Sequence, residues 1–105
     1  MGVIVLVSYE PKKGKEQELD ALLKKHVPTL QQSKLATERD PIIMKNDEGL
    51  RFEIFEWVSQ EAVDKAHEIP EVKKLWEELE DVSDMVAPCS VINQQTLFPE
   101  FSPIK

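Results

Sequence analysis

The chain carries two histidines, His26 and His67, whose side chains exchange protons near neutral pH. His67 follows Val63 and Ala66 on the inner side of a predicted helix, where an imidazole could hydrogen-bond a phenolic group or accept its proton. The alternative is a histidine at the rim of the core, bonded to backbone or water, because no acidic partner stands at a recognisable spacing. His67 is therefore the candidate catalytic residue, with this structural alternative left open.

Further side chains are candidates for substrate binding. His26 lies in the apolar stripe of the first predicted helix. This position favours a histidine that is hydrogen-bonded where the helix packs on the core. The other interpretation is a histidine that contacts the substrate. Trp57 ends a predicted strand, where aromatic residues line pockets as readily as they fill cores, whereas Trp76 is predicted to pack in the core. The polar residues of the first predicted strand, Tyr9 and Ser8, complete the set.

Two glutamates interrupt an otherwise apolar strand. Glu53 and Glu56 alternate with aromatic and aliphatic residues, and a buried carboxylate there would need a partner such as Arg39. A glutamate that faced a pocket without a partner would be a candidate base. The alternative places one glutamate in solvent at the end of the sheet and pairs the other across strands.

Other chemistries lack their signatures in this sequence. Two distant histidines and one cysteine, Cys89, match no metal-ligand spacing, and three glycines form no phosphate-binding loop. Cys89 has no histidine near it in sequence for nucleophilic catalysis. The formal net charge of -7 disfavours phosphate backbones and anionic membranes, so neither nucleic acid nor membrane is expected as a partner. The lone cysteine predicts a cytoplasmic protein. The apolar start agrees with this prediction, because it is too short for a membrane span and lacks the basic region and cleavage site of a signal.

The elements that must position these residues follow a βαββαβ order. The 105 residues, 41% hydrophobic and 31% charged, suit one globular domain over 1–105. This order predicts an α+β, ferredoxin-like split sheet with spatial strand order 4-1-3-2 and both helices on one face. The predicted strands are Val3 to Glu10, Leu35 to Lys45, Leu50 to Trp57 and Ser90 to Leu97.

Prolines and caps refine this prediction. Pro28 lies inside the first helix, where we expect a kink or an altered last turn, and Pro41 makes the second strand an edge strand. Ser59 is the predicted N-cap of the second helix. Pro70 should start a second piece of that helix, after a step that begins near Glu68.

One face of the predicted sheet has no helix to cover it. Strands one and three carry apolar side chains on both faces, so an uncovered face would drive association. We expect a two-fold homodimer packed sheet on sheet, with the apolar tail, residues 98–105, docking on the partner. The alternative is a monomer whose tail folds back over its own sheet.

A longer pattern begins with a strand that ends in an aromatic residue and runs into a serine-capped helix. It consists of Phe52 to Ala62, followed by Ala66 to Val72 and by Leu75 and Trp76. This pattern resembles the dimeric α/β-barrel superfamily, in particular its antibiotic-biosynthesis-monooxygenase-like branch, and the resemblance covers nearly the whole chain, from Val3 to Leu97. It implies a dimeric α/β barrel with a small pocket between helices and sheet in each subunit. His67 resembles the position at which relatives place a pocket-lining aromatic or histidine.

The resemblance also implies a function. Some relatives oxidise aromatic or quinol-type compounds without a cofactor, so we expect such an oxidation here, with a small hydrophobic or aromatic ligand and no cofactor. The alternative is a non-catalytic dimeric module that binds a ligand or has a stress-related role. Haem is disfavoured, because haem-degrading relatives place an axial histidine late in the second helix, where this chain has Leu75 and Trp76. They also use an asparagine on the first strand, whose polar residues here are Ser8 and Tyr9.

Overall fold

The structure, a computed structural model, describes residues 2–91 and 97–104. These residues form an α+β fold with one antiparallel sheet of five strands in the order β4-β1-β3-β2-β5. The strands are β1 Val3–Pro11, β2 Ile42–Lys45, β3 Arg51–Trp57, β4 Ser83–Val86 and β5 Ser102–Pro103. The helices are α1 Glu16–Gln32, α2 Gln60–Ala66, α3 Pro70–Val82 and the single turn α4 Pro88–Val91. The predicted order 4-1-3-2 is present, with β5 added beyond β2, so the fold is compatible with a ferredoxin-like arrangement.

The two central strands, β1 and β3, present one face to the helices and one away from them. Because side chains alternate along a strand, the register of β1 on β3 decides which residues share a face. Val5 lies opposite Phe55 and Val7 opposite Glu53, all on the face that packs against the helices, which we call the inner face. On the same face Val3 lies opposite Trp57 and Tyr9 lies opposite Arg51. The outer face carries Ile4, Leu6 and Ser8 from β1 and Phe52, Ile54 and Glu56 from β3.

Helix α1 lays a single buried stripe on the inner face. Its buried residues are Leu19, Leu23, His26, Val27 and Leu30, at the spacings of three and four that one helix face requires. The helix continues through Pro28 to Gln32, and Pro28 lies on its exposed side. A proline there costs one backbone hydrogen bond without disturbing the packed stripe.

The second helical region is divided as predicted. The Ser59 side chain accepts a hydrogen bond from the Ala62 backbone N–H at 3.2 Å, which confirms the N-cap of α2. Pro70 is the first residue of α3, where its missing N–H costs nothing because the first turn of a helix has no acceptor for it. The step between the two helices therefore lies where the sequence indicated it.

Strand β2 is shorter than the predicted stretch Leu35 to Lys45. It begins at Ile42, directly after Pro41, and of the residues before it only Ala36 forms an isolated bridge, to Trp57. Proline lacks the N–H that a ladder needs and restricts the residue before it, so regular pairing starts only beyond Pro41.

The fourth strand lies earlier in the chain than predicted. Helix α3 ends at Val82, Ser83 already has extended backbone angles, and β4 follows without a loop. The Lys12 backbone N–H donates to the Val82 carbonyl at 2.8 Å, which ties this junction to the end of β1. The stretch predicted as strand begins instead inside α4, and its residues 92–96 lie outside the described residues.

The C-terminal segment covers part of the outer face. β5 pairs with β2 through Met44 and Pro103, and the Phe101 ring packs edge-on against Phe52 with centroids 4.8 Å apart. Phe52 is fully buried, although it lies on the face opposite α1 and α3. In this single chain the tail thus lies on its own sheet, and its docking on a partner stays a prediction.

One apolar row of the outer face is open. Leu6, Ile54 and Ile42 lie side by side across β1, β3 and β2, and both Leu6 and Ile42 are exposed. Ile4 extends this open row. Within the described parts of the chain, every helix is too short or too polar to cross a membrane.

Candidate functional site

A cavity of about 380 Å³ lies between the inner face and the helices. This volume is at the lower end of the ~300–1,000 Å³ that small-molecule sites span, so it suits a small ligand. Its apolar walls are Val5, Val7, Phe55, Trp57 and Leu79. Its polar or mixed residues are Tyr9, His26, His67, Trp76 and Glu80, and Met85 completes the lining. Met85, His67 and Glu80 are exposed to solvent and mark the mouth of the cavity.

A buried carboxylate stands behind the cavity wall. Glu53 is fully buried and accepts hydrogen bonds from two side chains: the Tyr9 hydroxyl at 3.0 Å and His26 Nδ1, which lies 3.0 Å from each carboxylate oxygen. An ionised carboxylate accepts hydrogen bonds and donates none, so two donors aimed at Glu53 match its charged form. The partners that a buried glutamate needs are thus both present, and both are neutral groups.

The hydrogen bonds around His26 determine its tautomer. Trp76 Nε1 lies 2.9 Å from His26 Nε2, and an indole N–H is only a donor. His26 Nε2 must therefore be the acceptor, which leaves the ring proton on Nδ1, where it is donated to Glu53. A carboxylate that orients an imidazole through one ring nitrogen is the arrangement found in general bases, and here the other nitrogen accepts the Trp76 N–H.

Tyr9 is the second donor to Glu53. Burial, together with the charge of Glu53 and the hydrogen bond to it, raises the pKa of the Tyr9 hydroxyl far above its usual value near 10. Tyr9 therefore keeps its proton over the physiological range and acts as a fixed donor. Its position on β1 places it on the same face as Glu53 of the neighbouring strand.

An ion pair links α1 to β3. Arg51 binds both carboxylate oxygens of Asp20, at 2.7 and 3.0 Å, and donates to the Gly49 carbonyl at 2.6 Å. The hydrogen bond to Asp20 raises the pKa of Arg51. Asp20 and His26 both lie on α1, and their partners Arg51 and Glu53 both lie on β3. The ion pair therefore helps to hold His26 opposite Glu53.

Trp76 lies between the two histidines. Its ring packs edge-on against His67 with centroids 5.1 Å apart, and against His26 at 6.5 Å. His26 also meets Phe55 edge-on at 5.4 Å, so it is held from the sheet side as well. His67 follows the end of α2, is exposed, and forms no side-chain hydrogen bond to another described residue. The structure thus places His67 at the mouth and His26 inside.

The other glutamate of β3 lies on the outer face. Arg39 Nε donates to Glu56 Oε1 at 3.0 Å, and the Thr37 hydroxyl donates to the same oxygen. The Arg39 hydrogen bond, followed by that of Thr37, lowers the pKa of Glu56. Arg39, the partner suggested for a buried carboxylate, thus pairs with the glutamate that is not on the cavity side.

The structure brings most of the predicted site residues to one cavity. Tyr9, Trp57, His26 and His67 all line it, and their roles toward a ligand stay predictions. Ser8 lies outside it, because strand alternation turns its buried side chain to the outer face.

Sequence reasoning missed two connections of the site: the pairing of Glu53 with His26 and the hydrogen bond from Trp76. The usable signal was a carboxylate in an apolar strand and a histidine in an apolar helix stripe, on elements that must pack together.

Models of known protein families, curated proteins and solved structures provide no match to this chain. Within residues 2–91 and 97–104, no group of three or more His, Cys, Asp or Glu side chains is placed to hold a metal ion. Fold and site together define a small α+β protein with an apolar cavity of ligand size, and the functional argument rests on that cavity.

Proposed function

We propose that the cavity binds a small aromatic or quinol-type compound and that His26, oriented by Glu53, takes the proton of its hydroxyl group in a cofactor-independent, monooxygenase-like oxidation. The observation that carries this proposal is the buried carboxylate–histidine pair, His26 Nδ1 to Glu53 at 3.0 Å, at the wall of an apolar cavity. The resemblance to the antibiotic-biosynthesis-monooxygenase-like branch supports the same reaction class.

The walls favour a flat, apolar ligand. Phe55 and Trp57 contribute adjoining aromatic rings with centroids 5.3 Å apart, and Val5 and Val7 contribute aliphatic surface. Aromatic and aliphatic walls stabilise an aromatic ligand by removing its apolar surface from water, and a few polar groups then orient it. His26 is the polar group with a charged residue behind it.

Deprotonation is the step that these residues supply. When a hydroxyl proton moves to His26 Nε2, the imidazole becomes positively charged, and the adjacent Glu53 carboxylate stabilises that charge. The resulting phenolate is electron-rich and reacts with dioxygen. For a naphthohydroquinone the balanced reaction with one dioxygen gives one hydroxynaphthoquinone and one water. The substrate supplies all four electrons, so no further reductant is needed.

Oxygen uptake with naphthohydroquinone tests this proposal. The wild-type protein should consume oxygen faster than the spontaneous background, and one atom of isotopically labelled dioxygen should appear in the hydroxynaphthoquinone. His26→Gln should reduce the protein-dependent rate by about 100-fold or more, the scale of a lost general base. His67→Gln is the matched control and should retain most of the rate, because His67 lies at the mouth without a carboxylate partner among the described residues.

Two results would contradict the assignment of His26 as the base or the oxidation itself. Loss of activity in His67→Gln but not in His26→Gln, with both variants folded by circular dichroism, would move the base to His67, as the sequence predicted. A wild-type rate equal to the background would remove the oxidation.

A second candidate is a non-catalytic module that binds a ligand. The observation that favours it is the Trp76 N–H on His26 Nε2, because a nitrogen that accepts an internal hydrogen bond has no lone pair free for a substrate proton. Saturable binding of naphthohydroquinone without any oxygen uptake would support this second function.

We also propose that two copies of the chain pack their outer faces together, as the dimeric-barrel resemblance implies. The support is the open apolar row of Leu6, Ile54 and Ile42, with Leu6 41% and Ile42 54% exposed. A row of this kind on a sheet face is the surface that sheet-on-sheet dimers bury.

Sedimentation velocity tests the dimer. The wild-type protein should sediment as a dimer at micromolar concentration, and Leu6→Lys should sediment as a folded monomer because two-fold symmetry buries the new charge twice. Gln17→Lys, on the exposed side of α1, is the charge-matched control and should remain dimeric. A monomeric wild-type protein would refute the packing.

A further inference from the structure

We propose that the indole N–H of Trp76 occupies the place of the ligand's hydroxyl on His26 Nε2, so that a ligand must displace Trp76 and must be a neutral hydrogen-bond donor. This inference rests on the proposed function, because it takes the same cavity as the ligand site. It adds a selectivity residue, Trp76, and a chemical rule for what the cavity accepts.

His26 Nε2 accepts only one good hydrogen bond. The nitrogen has a single lone pair in the plane of the ring, and Trp76 Nε1 already lies 2.9 Å from it. His26 cannot offer its other nitrogen instead, because Nδ1 donates to Glu53. A ligand hydroxyl can therefore bond to His26 only after Trp76 has moved away.

Trp76 is the more movable partner of this hydrogen bond. His26 is buried and held by Glu53 and by the Phe55 ring. Trp76 is half-buried, lines the cavity, and packs on its other side against His67, which is itself exposed. A rotation of the indole displaces the solvent-exposed His67 and part of the indole's own packing on the core. A rotation of the imidazole would remove one of the two donors to the fully buried Glu53 carboxylate and leave Tyr9 as the other.

The charge of the ligand also affects its binding to His26. Nε2 presents a lone pair, and the negatively charged Glu53 lies across the same imidazole ring. A phenol aims a proton at that lone pair, an aryl methyl ether has no proton to aim, and a carboxylate or phenolate brings further negative charge. The site should therefore prefer a phenol over its methyl ether and over the corresponding carboxylate.

The test compares naphthol with its methyl ether, which share their ring system and differ in whether the oxygen carries a proton or a methyl group. Calorimetry measures the dissociation constants for the wild-type protein and for Trp76→Phe. A tethered indole competes for Nε2 more effectively than water does, because its effective concentration is high. In Trp76→Phe the affinity ratio of naphthol to methyl ether should rise about fivefold, the scale of one net hydrogen bond.

A second measurement follows the ligand's effect in the wild-type protein. The indole N–H signals of Trp57 and Trp76 are followed by NMR, and that of Trp76 is assigned by its absence from Trp76→Phe. Naphthol should shift the Trp76 signal away from its hydrogen-bonded position, and the methyl ether should leave the Trp76 signal close to that position. If Trp76→Phe does not fold, this comparison in the wild-type protein decides alone, because Trp57→Phe assigns the two signals equally well.

The outcomes separate this inference from the proposed function. Binding of naphthol with an unchanged or smaller affinity ratio in Trp76→Phe, or with an unmoved Trp76 signal, refutes displacement while leaving the cavity as a ligand site. Naphthoate is the corresponding carboxylate. If calorimetry shows that the wild-type protein binds it as tightly as naphthol, the preference for neutral donors is refuted. Failure of naphthol, its ether and naphthohydroquinone to bind the wild-type protein at all refutes the proposed function and this inference together.

Discussion

The two faces of the sheet treat the same kind of residue in opposite ways. Each face receives one glutamate from β3, and the two stand only three positions apart. On the inner face Glu53 is buried and held by the neutral donors Tyr9 and His26, whereas on the outer face Glu56 is paired with the cationic Arg39. A carboxylate whose charge is not compensated by a cation remains able to stabilise a positive imidazole, so the inner glutamate is the one suited to chemistry.

The apolar residues of the two faces also differ in how far they are enclosed. Those of the inner face enclose a cavity with the helices, while those of the outer face are partly covered by Phe101 and otherwise lie in a flat, open row. A concave apolar surface excludes water from a small ligand, and a flat one buries enough area only against another macromolecule. The inner face therefore suits the binding of a small ligand, and the outer face suits association with another macromolecule.

The largest expected effect is the removal of the inner glutamate. Glu53→Ala leaves the Tyr9 hydroxyl and the His26 Nδ1–H buried without an acceptor, and should lower the free energy of unfolding by about 2–4 kcal/mol. Glu56→Ala, the matched variant on the outer face, should have a clearly smaller effect because its partner Arg39 is exposed and regains water. Urea denaturation measures both. Equal decreases in the free energy of unfolding for the two variants would contradict the proposed difference between the faces.

An intermediate effect is expected at alkaline pH. Tyr9 has a raised pKa in the folded protein, so its stabilising contribution is complete below the unfolded value near 10 and decreases as the pH rises above it. The free energy of unfolding should then fall by up to about 1.4 kcal/mol per pH unit from this group, and Tyr9→Phe should lack that part of the slope. Tyr9 is the only tyrosine of the chain, so tyrosinate absorbance should appear together with unfolding. Ionisation of Tyr9 in a fully folded protein would contradict this assignment.

The smallest expected effect concerns the tail on the outer face. Phe101→Ala removes the ring that covers Phe52 and should cost about 1–2 kcal/mol, less than for a fully buried phenylalanine because Phe101 is only half-buried. Phe98, in the same tail, is 82% exposed, so Phe98→Ala should change the thermal midpoint little. Similar midpoints for the two variants would show that the tail does not hold the outer face.

Local rules were enough to predict the order of the elements. The alternation in β1 and β3, the serine cap before α2 and the proline that starts α3 each act within a few residues, and the structure contains all of them. The predicted fourth strand failed because β4 has only four residues and follows α3 without a turn signal. Its pairing depends on β1, more than 70 residues earlier in the chain.

The candidate site was predictable in its members but not in its connections. The sequence indicated Tyr9, Ser8, Trp57, His26 and His67 for the pocket, and all of these except Ser8 line one cavity. It also marked Glu53 and Glu56 as unusual in an apolar strand. It provided no way to choose between them, because the choice depends on which face of β3 the helices cover.

Side-chain periodicity and capping are set by neighbours along the chain, so they already specify strands with two apolar faces and helices with one. Only the tertiary structure decided that Glu53 meets His26 and that Trp76 bonds to the far side of the same ring. Those contacts join residues 27 and 50 positions apart. The register between packed elements brings them together, and that register is set by the packing of the whole core.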